Sequence, residues 1–207
     1  MTPNRLQTLC AGILVSTCIT LTGSPLAAQS STQELLDRAA EDANRINDVL
    51  RALQTSDPNT QYALVKLLLA EKDPAMVRIG REFALFSTNP VLQNMAIQSV
   101  FNTNPQVRLD VTGGDSLETY AWVEYLNGVA TENGASIMLN TGTFNETCWA
   151  TSRGTCIFTI RGLNVQYNYK FNSYVAQANL TLGPDGVLRG PIVMYSGRAQ
   201  AAIDLKE

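Results

Sequence analysis

DPNTQYALVKLLLAEKDPAMVRIGREFALFSTNPVLQNMAIQSVFNTNP, residues 57–105, is punctuated by four similar pairs: Asp57-Pro58, Asp73-Pro74, Asn89-Pro90 and Asn104-Pro105. Successive pairs lie sixteen, sixteen and fifteen residues apart. The first three each open a run of mixed apolar and polar residues. Asp or Asn before a helix accepts hydrogen bonds from its free N–H groups. Proline suits the first helical position, where its missing N–H costs nothing and its φ is already helical. The spacing predicts three short helices, over about 59–71, 75–87 and 91–102, each restarted by the same cap. Connections this short make neighbouring helices fold back on one another.

Within the second unit, Asp73-Pro74 is followed by Val77-Arg78 and Ala84-Leu85. In this respect residues 57–102 resemble a HEAT-like helical repeat, which typically begins near an Asp-Pro and carries Val-Arg before Ala-Leu. Arg81 stands where that family usually has a small residue. The resemblance implies a small helical stack, of a kind that usually binds proteins rather than catalysing. The competing reading is a plain four-helix cap packed on the next domain.

Working back towards the N-terminus, Leu35, Leu36, Ala39, Ala43, Ile46, Val49, Leu50 and Leu53 recur at three- and four-residue steps. That period places them on one face of a helix over residues 31–53. Ser31 and Glu34 have capping-box spacing, and Asp37, Arg38, Glu41, Asp42, Arg45, Asp48 and Arg51 form a solvated opposite face. Residues 1–28 read as a secretory signal peptide. Arg5 supplies the basic start, Leu9 to Leu21 the apolar stretch, and Ser24-Pro25-Leu26-Ala27-Ala28 the small-residue exit. The apolar stretch is short for a membrane span, so no stable span is expected after processing. Val15-Ser16-Thr17-Cys18 offers an alternative, lipoprotein processing with anchoring through Cys18.

Past Pro105 the pattern changes. Glycines and β-branched and aromatic residues become frequent, and a period of two replaces the helical one. Val165, Tyr167, Tyr169 and Phe171 alternate with Gln166, Asn168, Lys170 and Asn172. Ala176, Ala178, Leu180 and Leu182 continue an alternation that ends at Gly183-Pro184-Asp185-Gly186, a turn. Val107–Thr112, Ile137–Asn140, Cys156–Ile160 and a last strand with Ala199, Ala201, Ile203 and Leu205 on one side are further candidates. Residues 115–127 fit either a helix or a strand. The expected fold is α+β: a helical domain over 29–105, then an antiparallel β-sandwich or curled sheet over 106–207.

The formal charge is −3, and removing Arg5 with the leader makes it −4. No cluster of basic residues stands out, so neither nucleic acid nor an anionic membrane surface is an expected partner. There is no histidine at all. That excludes Ser-His-Asp and Cys-His nucleophiles, histidine bases and imidazole-held metals, and no cofactor or metal is expected. Phosphate-binding glycine loops are absent as well. Once the leader is gone, Cys148 and Cys156 are the two cysteines left. An even pair in an exported chain is a disulfide candidate, here clamping a loop that contains Arg153-Gly154.

Chemistry without histidine falls to carboxylates. Glu118 and Glu124 lie near Tyr120, Trp122 and Tyr125, while Glu146 and Asp185 stand in turn-like settings. A paired-acid glycosidase would use two of them, but no spacing singles out a pair. The polar side of the clearest strand, Gln166, Asn168, Lys170 and Asn172 with Tyr174 beside it, suits glycan or peptide binding. Its bland counterpart is a wet sheet face. The reading is an exported, periplasmic, non-catalytic binding or adaptor protein with an envelope protein as partner. A glycan- or peptide-binding β domain and a carboxylate-dependent hydrolase are the alternatives.

Overall fold

The computed structural model describes residues 25–113, 127–131, 134–171, 174–194 and 197–206. Residues 1–24, on which most of the expected signal peptide falls, the 115–126 segment with Glu118 and Glu124, and Asn172 lie outside the described residues. The described chain divides into two units, one ending at Arg45 and the other beginning at Ile46. Helix α1 (Pro25–Thr55) begins before Ser31, where the capping-box spacing predicts its start. Residues 31–45 of this helix are exposed all round, apolar stripe included.

In the larger unit the predicted caps are formed. Helices α2 (Pro58–Leu69), α3 (Pro74–Leu85) and α4 (Pro90–Thr103) each start on proline. The Asp57, Asp73 and Asn89 side chains accept from Asn59, Ala75 and Val91 N–H, each at 2.9 Å. A further bond recurs with the repeat: Gln61 Nε2 donates to Leu53 O, and Gln93 Nε2 to Leu85 O. Both link a side chain four residues after a cap to a carbonyl four residues before it. Helices α2 and α3 approach closely at Gly80, where an added Cβ would stand 2.7 Å from Leu68 Cβ. Its neighbour Arg81 donates to Thr103 Oγ1 at 3.0 Å, and burial pulls its pKa down.

Asn104-Pro105 leaves the helices for the sheet. The strands are β1 (Gln106–Thr112), β2 (Val129–Thr131), β3 (Gly134–Asn140), β4 (Thr143–Phe144) and β5 (Trp149–Ala150). They continue with β6 (Cys156–Arg161), β7 (Asn164–Phe171), β8 (Tyr174–Leu182), β9 (Val187–Met194) and β10 (Gly197–Asp204). Every pairing is antiparallel, and the order is β2-β3-β1-β10-β9-β8-β7-β6-β5-β4. The described strands thus make one sheet, and it is curled.

The curl follows from the chain itself. Strand β3 is second in the order and β4 is tenth, so in a flat sheet they would lie about 38 Å apart at ~4.8 Å per strand. Yet Thr141-Gly142 alone joins them, a link of three Cα steps that reaches at most about 11 Å. The sheet must therefore bend round until its opposite ends meet at this corner. Thr141 fastens it to the end of α4, donating through Oγ1 to Asn104 O and through N to Pro105 O. Gly142, at φ +81°, is required there, because a Cβ would come within 2.3 Å of Ala150 O.

A single core serves helices and sheet. Ile46, Val49, Leu50 and Leu53 at the end of α1 join it, as does the buried face of α4. Phe101 on α4 stacks edge-on to Phe158 at 4.9 Å and lies 5.8 Å from Trp149. The inward positions Ala176 and Ala178 of β8 and Ala199 and Ala201 of β10 are small, whereas β9 between them carries Leu188, Ile192 and Met194. Alternating small and large side chains in this way lets a tightly coiled sheet fill its inner volume.

Candidate functional site

Where the ends of the sheet converge, a cavity of about 760 Å³ opens. Its walls come from elements far apart in strand order. Leu139 and Asn140 end β3, Gly142 makes the corner, Ile157 lies in β6, and Tyr167 and Tyr169 lie in β7. Gln106, Asn127, Met138, Thr151 and Ser152 complete it. Leu139, Ile157 and Tyr167 are buried and form the floor, while Gln106, Asn127, Asn140 and Ser152 are exposed at the rim. Gln106 Nε2 donates to Asn140 Oδ1 at 3.1 Å, tying β1 to β3 at this lip.

The opposite lip is the loop between β5 and β6. The disulfide predicted from Cys148 and Cys156 is present and spans it, with Cα atoms 5.7 Å apart. Inside the loop, Thr151 N donates to Thr155 O, and Thr151 Oγ1 accepts from Arg153 and Thr155 N–H. These bonds hold Thr151 and Ser152 at the cavity edge. Behind them, Trp149 Nε1 donates to Asn102 Oδ1 at 3.2 Å, anchoring the loop's base to α4.

The most informative floor residue is Tyr167. Its side chain is 1% exposed, packs 5.2 Å from the Phe158 ring, and its hydroxyl has no hydrogen-bond partner among the described residues. Burial raises its pKa, and the neighbouring Tyr169 adds to the rise, so the hydroxyl remains a neutral phenol. A buried hydroxyl without a partner carries a desolvation cost, and this one is closed off from a water-sized probe. None of the described residues lining the cavity carries a charge.

The residues predicted for ligand binding lie elsewhere. Gln166, Asn168 and Lys170 are exposed on the other side of β7 from Tyr167. Tyr174 opens β8, its backbone paired with Phe171, and Asn172 falls outside the described residues. Strand register gives this outer face extra amides, since Gln166 opposes Asn179 and Asn168 opposes Gln177, all exposed. Of the candidate acids, Glu146 sits in a tight turn at φ +74°. Asp185 makes the β8–β9 turn with both oxygens taken by Arg189, at 2.8 and 2.7 Å.

Tyr167 was invisible as a site residue because its position reads as ordinary core. One signal was there: an inward position of β7 is held by tyrosine rather than phenylalanine, which brings a hydroxyl into the core that needs a partner. No family model matches this chain, and no curated protein or solved structure matches it either. Among the described residues no helix is long and apolar enough to cross a membrane.

Proposed function

We propose that this chain is an exported, non-catalytic binding protein of the bacterial cell envelope, holding a small ligand where the ends of its sheet converge. The observation that carries the reading is the cavity itself, whose size suits a small molecule. The Cys148–Cys156 disulfide accords with an oxidising compartment such as the periplasm.

A second reading places a glycan or peptide on the outer face of β7 and β8. It is favoured by the two opposed amide pairs, Gln166 with Asn179 and Asn168 with Gln177. An adaptor holding an envelope protein on its helices is the third, resting on the exposed Leu35 and Leu36 of α1.

Native mass spectrometry of the protein purified from its host separates them. The expected result is a co-purifying small molecule that is lost in Ser152→Trp, a change at an exposed rim position. Retention in that variant, with loss in Asn168→Asp/Gln177→Glu, would move the site to the outer face. A single protein captured by in-cell cross-linking, with no small molecule bound, would replace both with the adaptor.

A further inference from the structure

We infer that the outer face of strands β6 to β10 binds an acidic polysaccharide, with the amides of β7 and β8 reading its hydroxyls and three surrounding cations holding its carboxylates. The inference rests on the outer-face reading above, is independent of the cavity, and adds the charge and class of the ligand. Its first ground is the charge of this part of the chain. Residues 156–206 hold five cations, Arg161, Lys170, Arg189, Arg198 and Lys206, against two acids, Asp185 and Asp204, in a chain whose net charge is −3. Both acids are taken, Asp185 by Arg189 and Asp204 by Lys206. Arg161, Lys170 and Arg198 are exposed and belong to no ion pair among the described residues.

The second ground is where the strand register puts them. Arg161 on β6 opposes Asn164 on β7. Two residues further along β7, Gln166 opposes Asn179 on β8. The next outward row runs from Asn168 through Gln177 and Val193 to Arg198 on β10, and Lys170 lies one outward position beyond it on β7. All of these residues are exposed. By strand spacing and rise, the three cations stand roughly 15–25 Å apart with the amides between them. In the sequence they are nine and twenty-eight residues apart, which is why no basic cluster is visible there. The third ground is what such a face can hold. Each amide both donates and accepts, as a sugar hydroxyl does. Strands β7, β8 and β9 are paired on both sides, so a peptide cannot add to them as a strand and gain main-chain bonds. Val193 is the one large apolar side chain exposed on β6 to β10 among the described residues, too little to anchor the face in a membrane.

The test titrates the full, disulfide-bonded chain with polygalacturonate, neutral dextran and poly-L-glutamate. Polygalacturonate is expected to bind at low ionic strength and to weaken as salt is added. Binding is expected to be roughly tenfold weaker in Arg161→Gln/Lys170→Gln/Arg198→Gln. The same loss of charge on the helices, in Arg38→Gln/Arg51→Gln/Arg78→Gln, is expected to change it by less than about twofold. Asn168→Ala/Gln177→Ala is expected to weaken polygalacturonate binding and to leave the weaker binding of poly-L-glutamate unchanged. Ser152→Trp, at the cavity rim, is expected to leave both unchanged.

The outcomes separate the inference from the reading beneath it. No binding of polygalacturonate overturns the acidic glycan, and equal losses in the two charge variants overturn the role of the three cations. Dextran binding that the amide variant removes and the cation variant spares keeps the outer face as a site and overturns its acidic class. Poly-L-glutamate bound more tightly than polygalacturonate through the same cations makes the partner an acidic protein and overturns the glycan. Polygalacturonate binding that neither set of face variants moves overturns the outer-face reading itself.

Discussion

Asp185 illustrates how much of this molecule is decided one side chain at a time. Its turn, Gly183-Pro184-Asp185-Gly186, closes through Gly183 N–H to Val187 O and Gly186 N–H to Gly183 O. The hydrogen bonds from Arg189 hold the Asp185 carboxyl down at about 2, against an ordinary 3.8. A carboxyl depressed in the folded state adds stability that is complete above its unfolded pKa and is lost as pH falls through the folded one. Asp185→Asn is therefore expected to be less stable than the parent at pH 7, with the gap in Tm closing between pH 4 and pH 2. The gap should be small, because the pair is about half exposed. Thermal melts at pH 7, 4 and 2 check this, and a gap that persists at pH 2 would contradict it. The turn was legible in the sequence because proline, aspartate and glycine each carry a local preference. The partner was not, since Arg189 meets Asp185 only once β8 and β9 are in register.

Among the elements, the β5–β6 hairpin matters most, because it carries one lip of the cavity on two very short strands. Trp149-Ala150 pairs with β6 across an irregular register, so few backbone bonds hold the loop. The disulfide supplies what they lack. Closing a loop of this length stabilises by about 2–3 kcal/mol in the chain-entropy account, and it also fixes Thr151 and Ser152 at the rim. Replacing both cysteines by serine is expected to lower stability by about 2 kcal/mol and to weaken cavity binding beyond what that loss explains. Urea unfolding and dye titration on one sample separate the effects; unchanged affinity in the folded double variant would show that the lip is not needed. The cysteine pair and the three capped helices were readable at this scale because spacing and capping are local. The outer strip of β7 was also readable as polar from its alternation. What the alternation did not convey was which side of β7 would face a cavity, because that is set by strands distant in sequence.

At the scale of the whole molecule, the decisive event is the meeting of β3 with β4 at opposite ends of the strand order. Nothing in either strand's own residues announces it, for closure depends on the complete order and on the coiling of every strand between. Helix α4 is bound into the same arrangement: Asn94 Nδ2 donates to Gly162 O, Asn102 accepts from Trp149, and Asn104 O accepts from Thr141. Its Phe101 touches both Trp149 and Phe158, and Phe158 touches Tyr167. One aromatic chain thus runs from the helices to the cavity floor. Removing its first link should act on both. Phe101→Ala is expected to cost about 3–5 kcal/mol, the range for a large buried aromatic. It should lower the protection of α4 amides and of β6–β7 amides together in hydrogen exchange. If residues 46–207 share one core, both sets open with the same free energy in the parent chain and fall by the same amount in the variant. Loss confined to α4, with β6–β7 still protected, would mean that the sheet holds its curl without the helices.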